Sequence, residues 1–130
     1  MGVQEDAAVV RRGYEAFNSG DIETLKDLFA PDAVWRVGGS GGLAGVKQGK
    51  EEILAYFGEL FSRSGGTVKA ELQDVIAGES HTVALQTAQA ERNGQSLSQH
   101  GAFVFTLRDG KVTEVNEFQE DTAKTSEFWA

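Results

Sequence analysis

TVALQTAQAERNGQSLSQHGAFVFTLRDGKVTEVNEFQ, residues 82–119, holds three runs of alternating apolar and polar residues, separated by two dipeptides that favour a tight turn, Asn93-Gly94 and Asp109-Gly110. Asn-Gly and Asp-Gly accept the positive φ angles that a two-residue hairpin loop imposes, so this stretch predicts antiparallel strands joined by tight turns. Alternation extends upstream to Thr67, with a further break at Gly78-Glu79-Ser80, giving four strands between Thr67 and Gln119.

Upstream the period changes. Val3, Ala7, Val10, Tyr14 and Phe17 recur at helical spacing up to a stop at Asn18-Ser19-Gly20. Asp21 is suited to cap a second short helix, with Ile22, Leu25, Leu28 and Phe29 on one face and Ala30-Pro31 at its end. Ala33, Trp35 and Val37 form a short strand that runs into a loop with glycines at 38, 39, 41 and 42. Ile53, Phe57, Leu60 and Phe61 mark a third helix over residues 50–63, ended by Gly65-Gly66. Asp121 opens a short terminal helix that ends in Phe128-Trp129, two aromatics that either pin the tail to the sheet or form a lid or subunit contact. Helices segregated from a mostly antiparallel sheet define an α+β class, and nothing divides residues 1–130 into more than one domain.

Composition narrows the function classes. Twelve Lys and Arg stand against 20 Asp and Glu, a net charge of -8, and this field disfavours nucleic acid and anionic membranes as partners. No apolar stretch approaches the ~20 residues that span a bilayer, and the N-terminal segment lacks the basic-then-apolar order of a signal peptide, so a cytoplasmic protein is expected. The absence of cysteine removes disulfides, a thiolate nucleophile and Cys-ligated zinc. With only His81 and His100 as imidazoles, no metal site is expected. No phosphate-binding glycine pattern opens a helix, so no cofactor is expected either.

Three stretches carry a resemblance: Tyr14 to Asp21 followed by Leu28 to Trp35, the glycine-rich loop leading to Gly49-Lys50-Glu51-Glu52-Ile53, and Leu107 to Val112. They resemble the nuclear transport factor 2-like superfamily, which contains ketosteroid isomerases, SnoaL-like polyketide cyclases and limonene epoxide hydrolases. The resemblance runs from about Val9 to Phe118. It implies a cone-shaped, strongly bent antiparallel sheet wrapped around three N-terminal-half helices, an apolar pocket for a small molecule, and a homodimer. Function does not follow from this fold and has to be read from the site.

Tyr14 matches the isomerase tyrosine that donates to a developing oxyanion. The isomerase base position falls on Val37 and the second oxyanion donor near Phe103, so the resemblance excludes ketosteroid isomerisation. Epoxide hydrolysis lacks its Arg flanked by aspartates within a strand. Glu117 takes the place of a cavity-facing acid in the cyclases and hydrolases, and burial there would raise its pKa into a useful range. Alternation alone allows either Glu117 or the pair Asn116 and Phe118 to face inward; the resemblance favours Glu117.

The resemblance places Trp35, Val37, Phe57, Gln86, Phe103, Val115 and Gln119 around a ligand, with Glu117 and Tyr14 as the catalytic pair. Ala84, Gln86, Ala88 and Ala90 share a face whose alanines leave space, and Gln86 there either finds a buried partner or lies on a solvated edge. His100 has the parity of Val104 and Thr106, opposite Phe103 and Phe105, and reaches the pocket only if Gly101 makes a bulge. Two functions follow: a cofactor-independent isomerase, cyclase or hydrolase acting on an apolar, oxygen-bearing metabolite, or a non-catalytic dimeric ligand-binding or interaction domain. A cavity of a few hundred Å3 or more around Glu117 would favour the first.

Overall fold

The computed structural model describes residues 2–130. Helices α1 (Val3–Ser19) and α2 (Ile22–Leu28) precede strands β1 (Phe29–Val37) and β2 (Gly45–Gln48), helix α3 (Lys50–Arg63), strands β3 (Lys69–Ala77), β4 (Thr82–Arg92), β5 (Gln95–Arg108) and β6 (Lys111–Gln119), and helix α4 (Thr122–Trp129). One sheet carries all six strands in the order β2-β1-β6-β5-β4-β3. Neighbours are antiparallel except β1 and β6, which run parallel. The long chain excursion between β1 and β6 makes a parallel pairing accessible, since no tight turn has to join them.

The two hairpins form as the dipeptides require. Arg92 pairs with Gln95 and Arg108 with Lys111, leaving Asn93-Gly94 and Asp109-Gly110 as the loops. All four loop residues have positive φ, 53° and 77° in the first and 53° and 78° in the second, the type I′ geometry that matches strand twist.

Three boundaries differ from the sequence reading. Phe29 does not finish α2; its backbone is extended and pairs with Val112 at the start of β1. Pro31 then falls inside β1, in the segment between Phe29 and Val34 where pairing with β6 loses register, so its missing N–H interrupts no regular ladder. The glycine loop is followed by β2, a four-residue edge strand paired with the end of β1. At the starts of the first two helices, Val3 and Ile22 are 46% and 41% exposed and stand outside the core.

The core lies between the concave face of the sheet and α1, α2 and α3. Val10, Tyr14, Leu25, Leu28, Ile53 and Phe57 come from the helices, and Trp35, Ala84, Phe103, Phe105 and Val115 from the sheet. Asn18 anchors the end of α1 to β3: its amide donates to the Ala70 carbonyl and accepts from the Ala70 N–H, each at 2.8 Å.

Candidate functional site

Register decides which way Glu117 points. It sits opposite Phe103 on β5 and Val37 on β1, while Val115 sits opposite Phe105 and Trp35. Phe103 and Phe105 are core residues, so their cross-strand partners face the core as well. Glu117 is therefore inward and 6% exposed, and Phe118, on the opposite parity, is 58% exposed.

Three donors hold the carboxylate. Oε1 accepts from the Trp35 indole Nε1–H and from the Tyr56 hydroxyl, both at 2.8 Å, and Oε2 accepts from Gln119 Nε2 at 3.1 Å. Burial is the dominant influence and raises the Glu117 pKa above its ordinary value. The bonds from Trp35, Tyr56 and Gln119, together with the nearby charge of Lys47, favour the anion and offset part of that rise. Lys47 lies on β2 opposite Trp35, with its ammonium 5.3 Å from the centre of the Tyr56 ring.

Glu117 lines a cavity of about 110 Å3 between the helices and the sheet. Trp35 is the hub of its aromatic wall: its ring centre lies 5.1 Å from Phe57, 6.0 Å from Phe103 and 6.1 Å from Tyr56. Val37, Gln86 and Gln119 also line the cavity. Val115, expected there, is instead fully buried in the packed core between its cross-strand neighbours Phe105 and Trp35 and forms no part of the cavity wall.

Tyr14 faces the cavity, but its hydroxyl donates to Gln86 Oε1 at 2.5 Å rather than to Glu117. Burial, and then the negative charge of Glu117, push its phenol well above the ordinary value, so it stays protonated. This bond gives Gln86 the buried partner it needs at 3% exposure and rules out the solvated-edge reading. His100 lies outside the site. Pairing of β4 with β5 is unbroken through Gly101, so no bulge turns the imidazole inward; it is exposed, with Nδ1 3.1 Å from Thr87 Oγ1.

The terminal helix both docks and encloses. The Trp129 carbonyl accepts from Arg63 at 2.6 Å and the Phe128 carbonyl from Arg92 at 2.8 Å, while Thr125, Ser126 and Trp129 line the cavity. Gly39 and Gly42 allow the preceding loop to close against this helix: a Cβ at either would stand 2.7 Å from Ser126 Oγ or 2.6 Å from its carbonyl oxygen. Sequence reasoning missed Tyr56. Its only signal was a phenol three residues after Ile53, on the face that the helical spacing buries.

Comparison with known proteins agrees with this architecture. Residues 10–115 match the SnoaL-like domain. An uncharacterised protein of Mycobacterium tuberculosis is 36% identical over 126 residues, 96% of each chain. Bal32a, from a soil-derived mobile gene cassette, is 37% identical and superposes with a TM-score of 0.96 over 98% of each chain. A protein of unknown function with a cystatin-like fold from Xanthomonas campestris, 25% identical, gives 0.90 over 96% of this chain and 98% of its own. Nuclear transport factor 2-like structures share the fold as well. With its curved six-stranded sheet and a match over most of its length, this chain belongs to the SnoaL-like domain family.

Proposed function

We propose that the cavity takes a small, apolar, oxygen-bearing molecule and that Glu117 exchanges a proton with it, without a cofactor. The observation that carries this reading is the state of the carboxylate. Oε1 is occupied by two donors that fix its position, whereas Oε2 has one donor and keeps acceptor capacity toward the cavity that Glu117 lines. Desolvation makes such a carboxylate a stronger base than a solvated one, and geometry holds it ready.

Size limits the ligand. At about 110 Å3 the cavity is smaller than the few hundred Å3 expected for a large metabolite, and a dry cavity of ~150 Å3 is known to hold a single benzene ring. A single-ring compound matches that volume better than a multi-ring polyketide does. The same small volume, with Tyr14 already bonded to Gln86, favours the second reading, a binding domain without turnover.

The two readings separate in one experiment. Protein purified from its native host should release a small molecule on denaturation; returned to fresh protein in D2O, that molecule should gain deuterium at carbon with the wild type and not with Glu117→Gln. Retention without exchange would leave the binding reading, and no retained molecule together with no binding of any single-ring compound would overturn both.

We also propose a homodimer through the convex face, where Ile76, Leu85 and Phe118 are 52%, 38% and 58% exposed. Apolar area of this kind is covered in a twofold contact. Light scattering at micromolar concentration should give twice the 14.0 kDa chain mass, and Leu85→Asp with Phe118→Asp should return the chain mass. A wild type that scatters as a single chain would contradict it.

A further inference from the structure

The wall of the cavity formed by β6 and α4 has polar atoms with unmet bonding capacity. Gln119 Oε1 and Thr125 Oγ1 are sealed from solvent and have no hydrogen-bond partner among the described residues, and both residues line the same cavity as Glu117. The orphan on Gln119 follows from its neighbour. An ionised carboxylate only accepts, so the Gln119 amide must turn its NH2 toward Glu117 Oε2, and its carbonyl oxygen is left facing away with nothing to accept from. Gly101, across the strand pair from Gln119, carries no side chain; a Cβ there would lie 3.0 Å from Gln119 Oε1, so the glycine is what lets the amide lie against β5 in this orientation.

Two neighbouring acceptors, Gln119 Oε1 and Glu117 Oε2, call for a donor, and Thr125 Oγ1 can serve either way. The rest of the wall is aromatic and aliphatic, from Trp35, Phe57, Phe103 and Leu43 among others. A second buried charge has little to solvate it there, which disfavours an ammonium, and a carboxylate ligand would meet the charge of Glu117. We infer that the ligand is a neutral single-ring compound bearing a hydroxyl of phenol or enol type, and that this hydroxyl donates to the Gln119 and Glu117 wall. Ketones and ethers, which only accept, leave Gln119 Oε1 without a donor and bind more weakly. This assignment rests on the ligand-binding reading above and narrows it to a donor-bearing class.

The test uses phenol and toluene, matched in size and differing in the donor, titrated into the full chain by NMR or calorimetry. The readout is the ratio of phenol to toluene affinity in the wild type and in Gln119→Met, which removes the amide and keeps the length. Differences in hydration between the probes cancel in that comparison. The ratio should fall by about tenfold or more in the variant, while toluene affinity stays nearly constant. Should Gln119→Met fail to fold, Gln119→Leu, which also removes the amide oxygen, gives the same readout. Binding of both probes with an unchanged ratio would overturn the donor assignment and leave the cavity reading standing. Binding of neither probe would overturn the cavity reading itself.

Discussion

Glu117→Gln should unfold at a higher temperature than the wild type at pH 8 and at nearly the same temperature at pH 3.5. Burial raises the Glu117 pKa in the folded protein above the ~4.3 of a free glutamate, so the folded state binds this proton more tightly than the unfolded state. Its contribution to stability is thus fully present below the unfolded pKa and is lost as pH rises through the folded pKa. Gln cannot ionise and avoids that loss. It also fits: its oxygen can still accept from Trp35 and Tyr56, and its NH2 can donate to Gln119 Oε1, which has no partner in the wild type, once the Gln119 amide turns over. The difference in unfolding temperature, measured by calorimetry across pH, should therefore grow from acid toward neutral and then level off. A difference that shrinks as pH rises would mean that the folded protein prefers the anion. Any turnover should fall by ~100-fold or more in the same variant, the usual loss when a general base is removed.

Trp35→Ala should cost about 3–5 kcal/mol, a large part of the stability of a domain this size. The indole is 6% exposed and packs on Phe29, Tyr56, Phe57, Phe103 and Phe105, and it supplies one of the two donors on Glu117 Oε1. Trp35→Phe separates the two roles. It retains much of the aromatic packing and should cost about 1–3 kcal/mol, but it removes a bond that favours the anion and so should raise the Glu117 pKa further. Urea denaturation measures the first effect and a pH titration of the folded variant the second. Equal stability of the Ala variant and the wild type would show that the aromatic cluster is not the centre of the core.

The sheet was legible because its turns are local. Asn93-Gly94 and Asp109-Gly110 need nothing beyond their own φ preferences; the first sets the register of β4 with β5 along its whole length, and the second sets the first pairs of β5 with β6. The second turn alone would set Phe103 opposite Asn116; a one-residue register shift between Thr106 and Leu107 brings Glu117 opposite Phe103 instead, so the inward acid depends on an irregularity that the turn does not announce. The parallel pairing of β1 with β6 had no such local sign, since partners such as Trp35 and Val115 lie far apart in sequence. Strand β2 was hidden for a different reason: at the sheet edge Val46 stays 58% exposed, so its four residues show no burial alternation.

Within the site, apolar spacing found the wall but not the polar contacts. Tyr56 and Trp35 both read as core aromatics, and only the fold brings their donors together on one carboxylate oxygen. For Gln86 the alternation left a buried, partnered amide and a solvated edge both open, and the packing of α1 over β3 and β4, which brings Tyr14 to it, decides for the first. Val115 shares the parity of Glu117, but parity gives a face and not a depth: it is fully buried between Phe105 and Trp35 and does not line the cavity.

The central claim is that Glu117 is an inward, desolvated carboxyl that gains and loses a proton in the folded protein. Carbon-detected NMR of the Glu117 side-chain carboxyl, followed through a pH titration of the folded chain and assigned with Glu117→Gln, measures this directly. The titration midpoint should lie clearly above the ~4.3 of a free glutamate; a midpoint at or below that value, with the protein still folded, would contradict the account.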